Sequence, residues 1–415
     1  MNILLLTNYF PPEIGSAPHL YYDLAKELVR KGHRVMCLTG TPRYNVAPEI
    51  IDAYSKKKKE VINENMEGID VVRVKLPYVP RSGKIKRGLE HLIIQNRLSN
   101  HIDSLPYKPD VMLIYSPPLT LGKTGIKIKK RFDCKMVFNV QDLFPQELID
   151  VGLLKNKIII KYFQRMERHI YTFADKITVH SEKNKEHVER VLGIDAKEKV
   201  EIVENWIDIN AVTPGSKINA FSTDHDLKEK FVVSFAGTLG HFQDIEVIIR
   251  AANELKNNED ILFVIVGDGI RKKESNELIS NLGLVNIKMI PMVERDKYPE
   301  ILWSSDISLV TLNPELHTPP VPSKILSIMS AGIPIIGVMN LEGDGPRLIE
   351  NAHAGLVFKA GDYLGLADGI LELYNNKANR EKFGNNGREY VEKHLSAVNA
   401  AERYERLFEK LNRFD

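Results

Sequence analysis

Short apolar runs rich in Val, Ile and Leu alternate with helical patterns along the whole chain. That alternation restricts the fold to βαβ units and parallel sheets. In the first half the runs are 3–6, 35–39, 71–76, 111–115, 136–140, 177–180 and 200–203. In the second they are 231–236, 262–266, 287–290, 307–312 and 334–338. A helix predicted over 19–31 carries Leu20, Leu24, Leu28 and Val29, and Gly32 stops it. Further helical patterns lie near 245–255, 272–282, 324–329 and 346–351. The polar stretch 213–230 lacks periodicity and puts a hinge near 204–230, hence domains at 1–205 and 206–396. Residues 397–414 form one more amphipathic helix.

A chain of 415 residues exceeds one ordinary core, so two domains are the default. Hydrophobic content of 43% and charged content of 27% belong to a soluble globular protein. Cys37 and Cys134 supply neither a disulfide framework nor a metal cluster, and a reducing cytoplasm suits them. The opening apolar run has no basic stretch before it and meets Pro11-Pro12, which reads as a strand and not a signal peptide. No run approaches the roughly 18 apolar residues of a spanning helix. The net charge of +2 hides an asymmetry: 34 basic against 25 acidic residues in 1–205, then 23 against 30. A basic first half is expected to face an anionic surface or acceptor, or else reflects ordinary surface variation.

Three loops at strand ends suit phosphate. Phe235-Ala236-Gly237-Thr238-Leu239-Gly240 and Val266-Gly267-Asp268-Gly269 leave apolar runs, and Val321-Pro322-Ser323-Lys324 opens a helical one. Together they suggest a nucleotide in a cleft between two α/β domains. Each alone also reads as a tight turn. Pro322 presets a helix start, Ser323 caps it, and Lys324 adds a cation where the dipole disfavours one, which an intervening diphosphate would reconcile. A solvated surface lysine is the alternative. Gly15 and Ser16, after Asn8–Ile14, form a similar βα loop.

Asp142, after an apolar strand, suits positioning or deprotonating a hydroxyl, or else caps the turn toward Pro145. The stretch 81–101, with Lys84, Lys86, Arg87, His91 and Arg97 beside apolar residues, joins Lys56–Lys59 as a candidate surface for anionic lipid. Asp224-His225-Asp226 matches a metal-binding Asp-x-Asp only formally, lying in the polar hinge. No Walker motif or zinc spacing is present, and basic and aromatic residues are not interleaved as nucleic acid would require.

In order and spacing these segments, with Gln141–Pro145, Glu204–Asp208, Ala331–Pro334 and Gly384–Tyr390, resemble a GT-B glycosyltransferase of family GT4. The most similar subgroup comprises the bacterial O-antigen and capsule N-acetyl-L-fucosamine transferases. The resemblance implies two Rossmann-like domains with parallel sheets facing across a cleft, the last helix returning to the first domain. It implies metal-independent transfer with retention and no cofactor beyond a nucleotide-sugar donor. Gly15, Ser16, Gly237, Thr238, Gly267, Asp268, Ser323 and Lys324 would approach the donor, and Met292 and Val293 would meet its base. Asp142 would face the acceptor. The family's Glu pair falls on Pro319 and Ser327, and its basic residue after the Ala-Gly-Thr loop on Gln243. Glu315 and His317 are the nearest possible sugar contacts, and Lys324 becomes the main cation for the leaving diphosphate.

The expected activity is transfer of a sugar, an N-acetylated deoxyhexose or similar, from a UDP-sugar to a lipid-diphosphate-linked saccharide. This would occur at the cytoplasmic face of the membrane, with peripheral contact through the basic domain. A UDP-sugar epimerase of the same fold and a catalytically silent nucleotide-sugar-binding scaffold are the alternatives.

Overall fold

The computed structural model describes residues 1–77, 84–193, 196, 198–316 and 321–413, with backbone alone at 16, 84–89 and 295. The chain divides into two compact units. The first is Met1–Gln146, Leu154–Asn205 and Ala397–Asp415; the second is Glu147–Leu153 and Trp206–Ser396. Against the expected 1–205 and 206–396, one segment changes side. Glu147–Leu153 groups with the second unit, where Val151 packs on a core holding Val212, Leu302 and Ile325. Among the described residues no helix is long and apolar enough to cross a membrane.

The first unit holds eight strands: β1 (Asn2–Leu6), β2 (Arg34–Gly40), β3 (Val61–Met66), β4 (Ile69–Val74), β5 (Val111–Ser116), β6 (Lys135–Val140), β7 (Lys176–Val179) and β8 (Val200–Ile202). Their order is β3-β4-β2-β1-β5-β6-β7-β8. All pairings are parallel except β3 with β4. That hairpin adds one antiparallel edge strand to the expected parallel sheet. Its two-residue turn, Glu67-Gly68, has φ of 50° and 86°. Both central residues at positive φ match the right-handed twist of a hairpin. The strand escaped sequence reading because Val61–Met66 carries Asn63-Glu64-Asn65 at its centre and buries only Ile62, as an edge strand allows.

The second unit holds β9 (Phe231–Ala236), β10 (Ile261–Val266), β11 (Ile287–Ile290), β12 (Ile307–Thr311), β13 (Ile335–Met339) and β14 (Gly355–Lys359). They lie in the order β11-β10-β9-β12-β13-β14, all parallel. The edge strand β14 was not foreseen. β9, β10 and β12 are buried at every position, as expected of central parallel strands covered on both faces.

The last helix, Ala397–Arg413, completes the first unit. Its buried stripe is Ala397, Ala400, Ala401, Tyr404, Leu407 and Phe408, and it packs along the helix Ser16–Arg30. Tyr404 joins a buried polar network at the end of β6. The Asn139 amide donates to Thr178 Oγ1 at 3.0 Å and to the Tyr404 hydroxyl at 3.2 Å. Gln141 Nε2 donates to Asn139 Oδ1 at 2.8 Å, and Asn205 Nδ2 donates to Gln141 Oε1 at 2.7 Å. A polar network inside a sheet interior holds only when its members are satisfied together. Tyr404→Phe is therefore expected to destabilise the first unit by about 1–2 kcal/mol, read as a lower urea midpoint.

Candidate active site

In the second sheet the chain runs outward from β9 through β10 to β11, then returns to β12 on the other side of β9. At such a reversal the strand carboxyl ends splay and leave a crevice for a ligand. The loop after β9 is fixed there by backbone bonds. Gly237 N donates to Val266 O at 2.9 Å, Leu239 N to Asp268 O at 2.9 Å, and Arg271 N to Leu239 O at 3.1 Å. This nesting explains two glycines. A Cβ on Gly267 would stand 2.0 Å from Gly237 O, and one on Gly269 would stand 2.3 Å from Leu239 O. Gly237 itself has φ of 150°, and its missing Cβ leaves room for Lys324, whose Nζ would lie 2.9 Å from it.

Lys324 opens the helix Lys324–Ser330 and is no solvated surface side chain. Its Nζ is buried, has no hydrogen-bond partner among the described residues, and sits 3.7 Å from the centre of the Phe235 ring. Burial pushes its ammonium down to about 7. The ring face offsets part of the lost hydration, by about 1–2 kcal/mol, but supplies no acceptor for the three N–H groups. An anion seated at the Gly237 loop would supply both charge and acceptors. Ser323 holds the N-cap position, yet its hydroxyl makes no capping bond, which corrects the expected cap. Ser327 is hydrogen-bonded to the buried Tyr298 hydroxyl, which burial pushes up to about 12.

The remaining second-unit candidates are divided. Thr238 is exposed at the loop tip. Asp268 is spent locally: its carboxylate accepts from Gly269 N at 2.7 Å and meets Lys272 Nζ at 3.1 Å. Met292 is exposed after β11, whereas Val293 packs on a core cluster with Ile290 and Ile301. Gln243 and Glu315 come together around a cavity of about 380 Å³ that Arg250 and Arg271 also line. His317 and Pro319 lie outside the described residues. Ala331–Pro334 and Gly384–Tyr390 prove to be packing devices. A Cβ on Gly384 would stand 2.1 Å from Gly332 O, and Arg388 Nη1 donates to the carbonyls of Ile209, Val212 and Ser330.

In the first unit the loop after β1 is built around Glu13. Its buried carboxylate accepts from Phe10 N, Arg43 N and Tyr44 N at 3.0–3.2 Å, while burial holds the group above the usual carboxylate range. Arg43 donates to Asn8 and lies over the Tyr9 ring. Gly15 is the N-cap of the helix Ser16–Arg30, with no side-chain cap. A Cβ there would meet only Pro18, at 3.6 Å, so nothing in the protein itself demands glycine at 15. The Ser16 side chain is outside the described set. Asp142 reaches solvent just past the end of β6.

In the described part of the expected lipid-facing surface several residues are paired or buried. Lys56 pairs with Asp52, Lys57 with Glu64, and Arg97 with Glu60, while Ile94 and Leu98 are buried. Lys84, Lys86 and Arg87 have no described side chains. The roles of Glu13, Phe235 and Tyr298 escaped sequence reading, since only the folded loop buries Glu13 and an aromatic on a strand or helix looks like any other core position.

Lys324 yields a stability prediction. Because its folded-state pKa of about 7 lies below the ordinary 10.5, the unfolded chain binds the proton more tightly. Stability must therefore rise from about pH 7 towards pH 10.5 through this group. Lys324→Met removes that slope and makes the unliganded protein more stable at pH 7, by about 3 kcal/mol after the lost ring contact. Urea titrations at several pH values check both.

Two family models match the chain, "Glycosyltransferase Family 4" over 19–211 and "Glycosyl transferases group 1" over 217–390. A glycosyltransferase of Pseudomonas aeruginosa, WbjE, is 29% identical over 313 residues, 71% of this chain and 75% of that protein. WcaI of Escherichia coli K12, whose name assigns it to colanic acid biosynthesis, is 24% identical over 343 residues, 80% and 82% of the two chains. The solved structure of Anabaena HepE in complex with UDP superposes with a TM-score of 0.72 at 16% identity, covering 99% of this chain and all of that one. Sucrose-phosphate synthase from Thermosynechococcus elongatus gives 0.77 at 15% identity, with both chains covered fully. With family models matching both halves and two α/β sheets of this topology, the chain belongs to the family 4 glycosyltransferases of the GT-B fold.

Proposed function

We propose that the second unit binds the diphosphate of a UDP-sugar at the Gly237 loop and Lys324, and that the enzyme passes the sugar, with retention, to a lipid-diphosphate-linked saccharide. The product would be a bacterial surface polysaccharide. The observation that carries this reading is the buried Lys324 ammonium, unpartnered among the described residues, beside the Gly237 loop and the Gly267 and Gly269 positions that admit no side chain. HepE was solved with UDP and with UDP-glucose, and WcaI bears the name of a polysaccharide pathway, which supports both donor and product class. The sugar is proposed to be an N-acetylated deoxyhexose or similar.

Lys324 is assigned the charge that builds on the leaving diphosphate. A cation already desolvated strengthens its interaction with that charge and needs no reorganisation as the bond breaks. With Ser327 in place of a carboxylate, the hydroxyl pair Ser327–Tyr298 is the polar group available to the ribose. Backbone groups at Met292 and Val293 are proposed to meet the base. In the first unit, Asp142 is assigned the acceptor hydroxyl, and Gly15 leaves space for a substrate phosphate. Metal independence, a cytoplasmic location and peripheral membrane contact through the basic first unit belong to the same proposal.

The direct test is calorimetry with UDP. Bound diphosphate favours the charged lysine, so its pKa rises on binding. Above about pH 7 the complex should take up close to one proton, and affinity should fall as pH rises. Lys324→Ala should weaken UDP by about a hundredfold, lower turnover, abolish the uptake, and leave uridine within about threefold. Equal loss of uridine and UDP would remove the diphosphate role. Asp142→Asn and Gly15→Ala should leave the melting temperature unchanged, yet lower turnover at least tenfold without weakening UDP in the first case. Product analysis with donor alone separates transfer from epimerisation, because only an epimerase changes the sugar with no acceptor present.

A further inference from the structure

Several exposed helices of this chain carry their own counter-charges. Glu246 pairs with Arg250, Arg388 with Glu392, Lys377 with Glu381, and Glu409 with Arg413, all four residues apart. The helix Lys157–Phe173 of the first unit does not. Its only acid, Glu167, is buried and turned toward His187 at 3.6 Å. Lys157, Lys161, Arg165 and Arg168 follow one another at four, four and three residues along one exposed stripe, and Lys155 precedes them. None of these cations has an ion-pair partner among the described residues.

Beside that stripe the first turns expose three large apolar side chains. Ile158 is 82% exposed, Ile159 44% and Tyr162 48%. The spacings 158/162 and 159/162 bring them to one side of the helix. The turn is well formed, because the Asn156 side chain accepts from Ile158 N at 3.0 Å and Ile159 N at 3.2 Å. The neighbouring helix Leu121–Phe132 contains no Asp or Glu, and it sets Lys123 Nζ 3.5 Å from the Tyr162 hydroxyl. Two helices whose one acid, Glu167, is buried, presenting isoleucines among lysines, are poorly suited to water alone.

We infer that this face of the helix Lys157–Phe173 is where the enzyme rests on an anionic lipid bilayer, a surface distinct from the 81–101 stretch. The inference rests on the reading that the acceptor is lipid-linked, and it names the residues of contact. Ile158 and Ile159 enter the boundary between headgroups and acyl chains, and Tyr162 lies at headgroup level. Lys157, Lys161 and Arg165 extend along the surface to meet lipid phosphates. Charge complementarity selects a bilayer as the occupant, since long cationic stems flanking bare isoleucines match an anionic surface with an apolar layer beneath.

The test is sedimentation of the full chain with vesicles of phosphatidylcholine alone and of phosphatidylcholine with phosphatidylglycerol, at two salt concentrations. The wild type should bind the anionic vesicles and lose them at high salt. Ile158→Ser with Ile159→Ser should cut binding about tenfold. Lys157→Gln with Lys161→Gln should do likewise and flatten the salt dependence. Both pairs should keep the wild-type melting temperature and its rise with UDP. Equal binding to both vesicle types, no binding, or wild-type binding by both variants overturns the inference, as would be found if a protein covers the patch. UDP stabilisation without vesicle binding removes the surface and spares the donor site. Vesicle binding without transfer to any lipid-linked saccharide spares the surface and removes the acceptor reading.

Discussion

Parallel strands cannot be joined by tight turns, so each is followed by a crossover that carries the chain back over one face of the sheet. Both faces end up covered, and every strand ends at the same edge. The covering requirement accounts for the return of the helix Ala397–Arg413 to the first unit, where Tyr404 enters the network of Asn139, Thr178 and Gln141. The shared edge accounts for the sites. In each sheet the strand order reverses once, beside β1 in the first and beside β9 in the second. The loops that leave those strands carry Gly15 and Gly237.

Within the second unit the cost of the site is visible as an ammonium unpaired among the described residues. Burying a cation without partners is unfavourable, and the fold tolerates Lys324 because Phe235 presents its ring face and the glycines leave no atoms in the way. An interaction left open in the free protein becomes available to a ligand, which is how a folded protein stores affinity for an anion. The first unit shows the opposite treatment of charge. Glu13 is buried too, but three backbone N–H groups satisfy it, so it holds a loop in shape instead of awaiting a partner.

Much of this was legible in the residues, and the failures have physical reasons. Central strands such as Phe231–Ala236 stand out because two-sided burial demands unbroken apolar runs. The edge strands β3 and β14 did not, because one carries Asn63-Glu64-Asn65 at its centre and neither is buried along its length. Gly267 and Gly269 read as turn glycines, and only the tertiary structure brings backbone oxygens within 2.3 Å of where their Cβ atoms would be. Asp268 reads as a ligand group and in the fold pairs locally with Lys272, a short-range contact that composition cannot reveal. In the basic stretch 81–101 the described Arg97 is paired, and a row of cations with no ion-pair partner among the described residues lies on the helix Lys157–Phe173.

The order of residues by itself determined the two parallel α/β sheets, the loops at their carboxyl ends and the family, because hydrophobic periodicity and turn chemistry are local properties. Tertiary structure alone decided which of the marked residues carry an open interaction. Lys324 could equally have been a solvated lysine, Asp268 a ligand group and Ile158 a core residue. Burial, partner and exposure depend on atoms far away in sequence, and no local pattern encodes them.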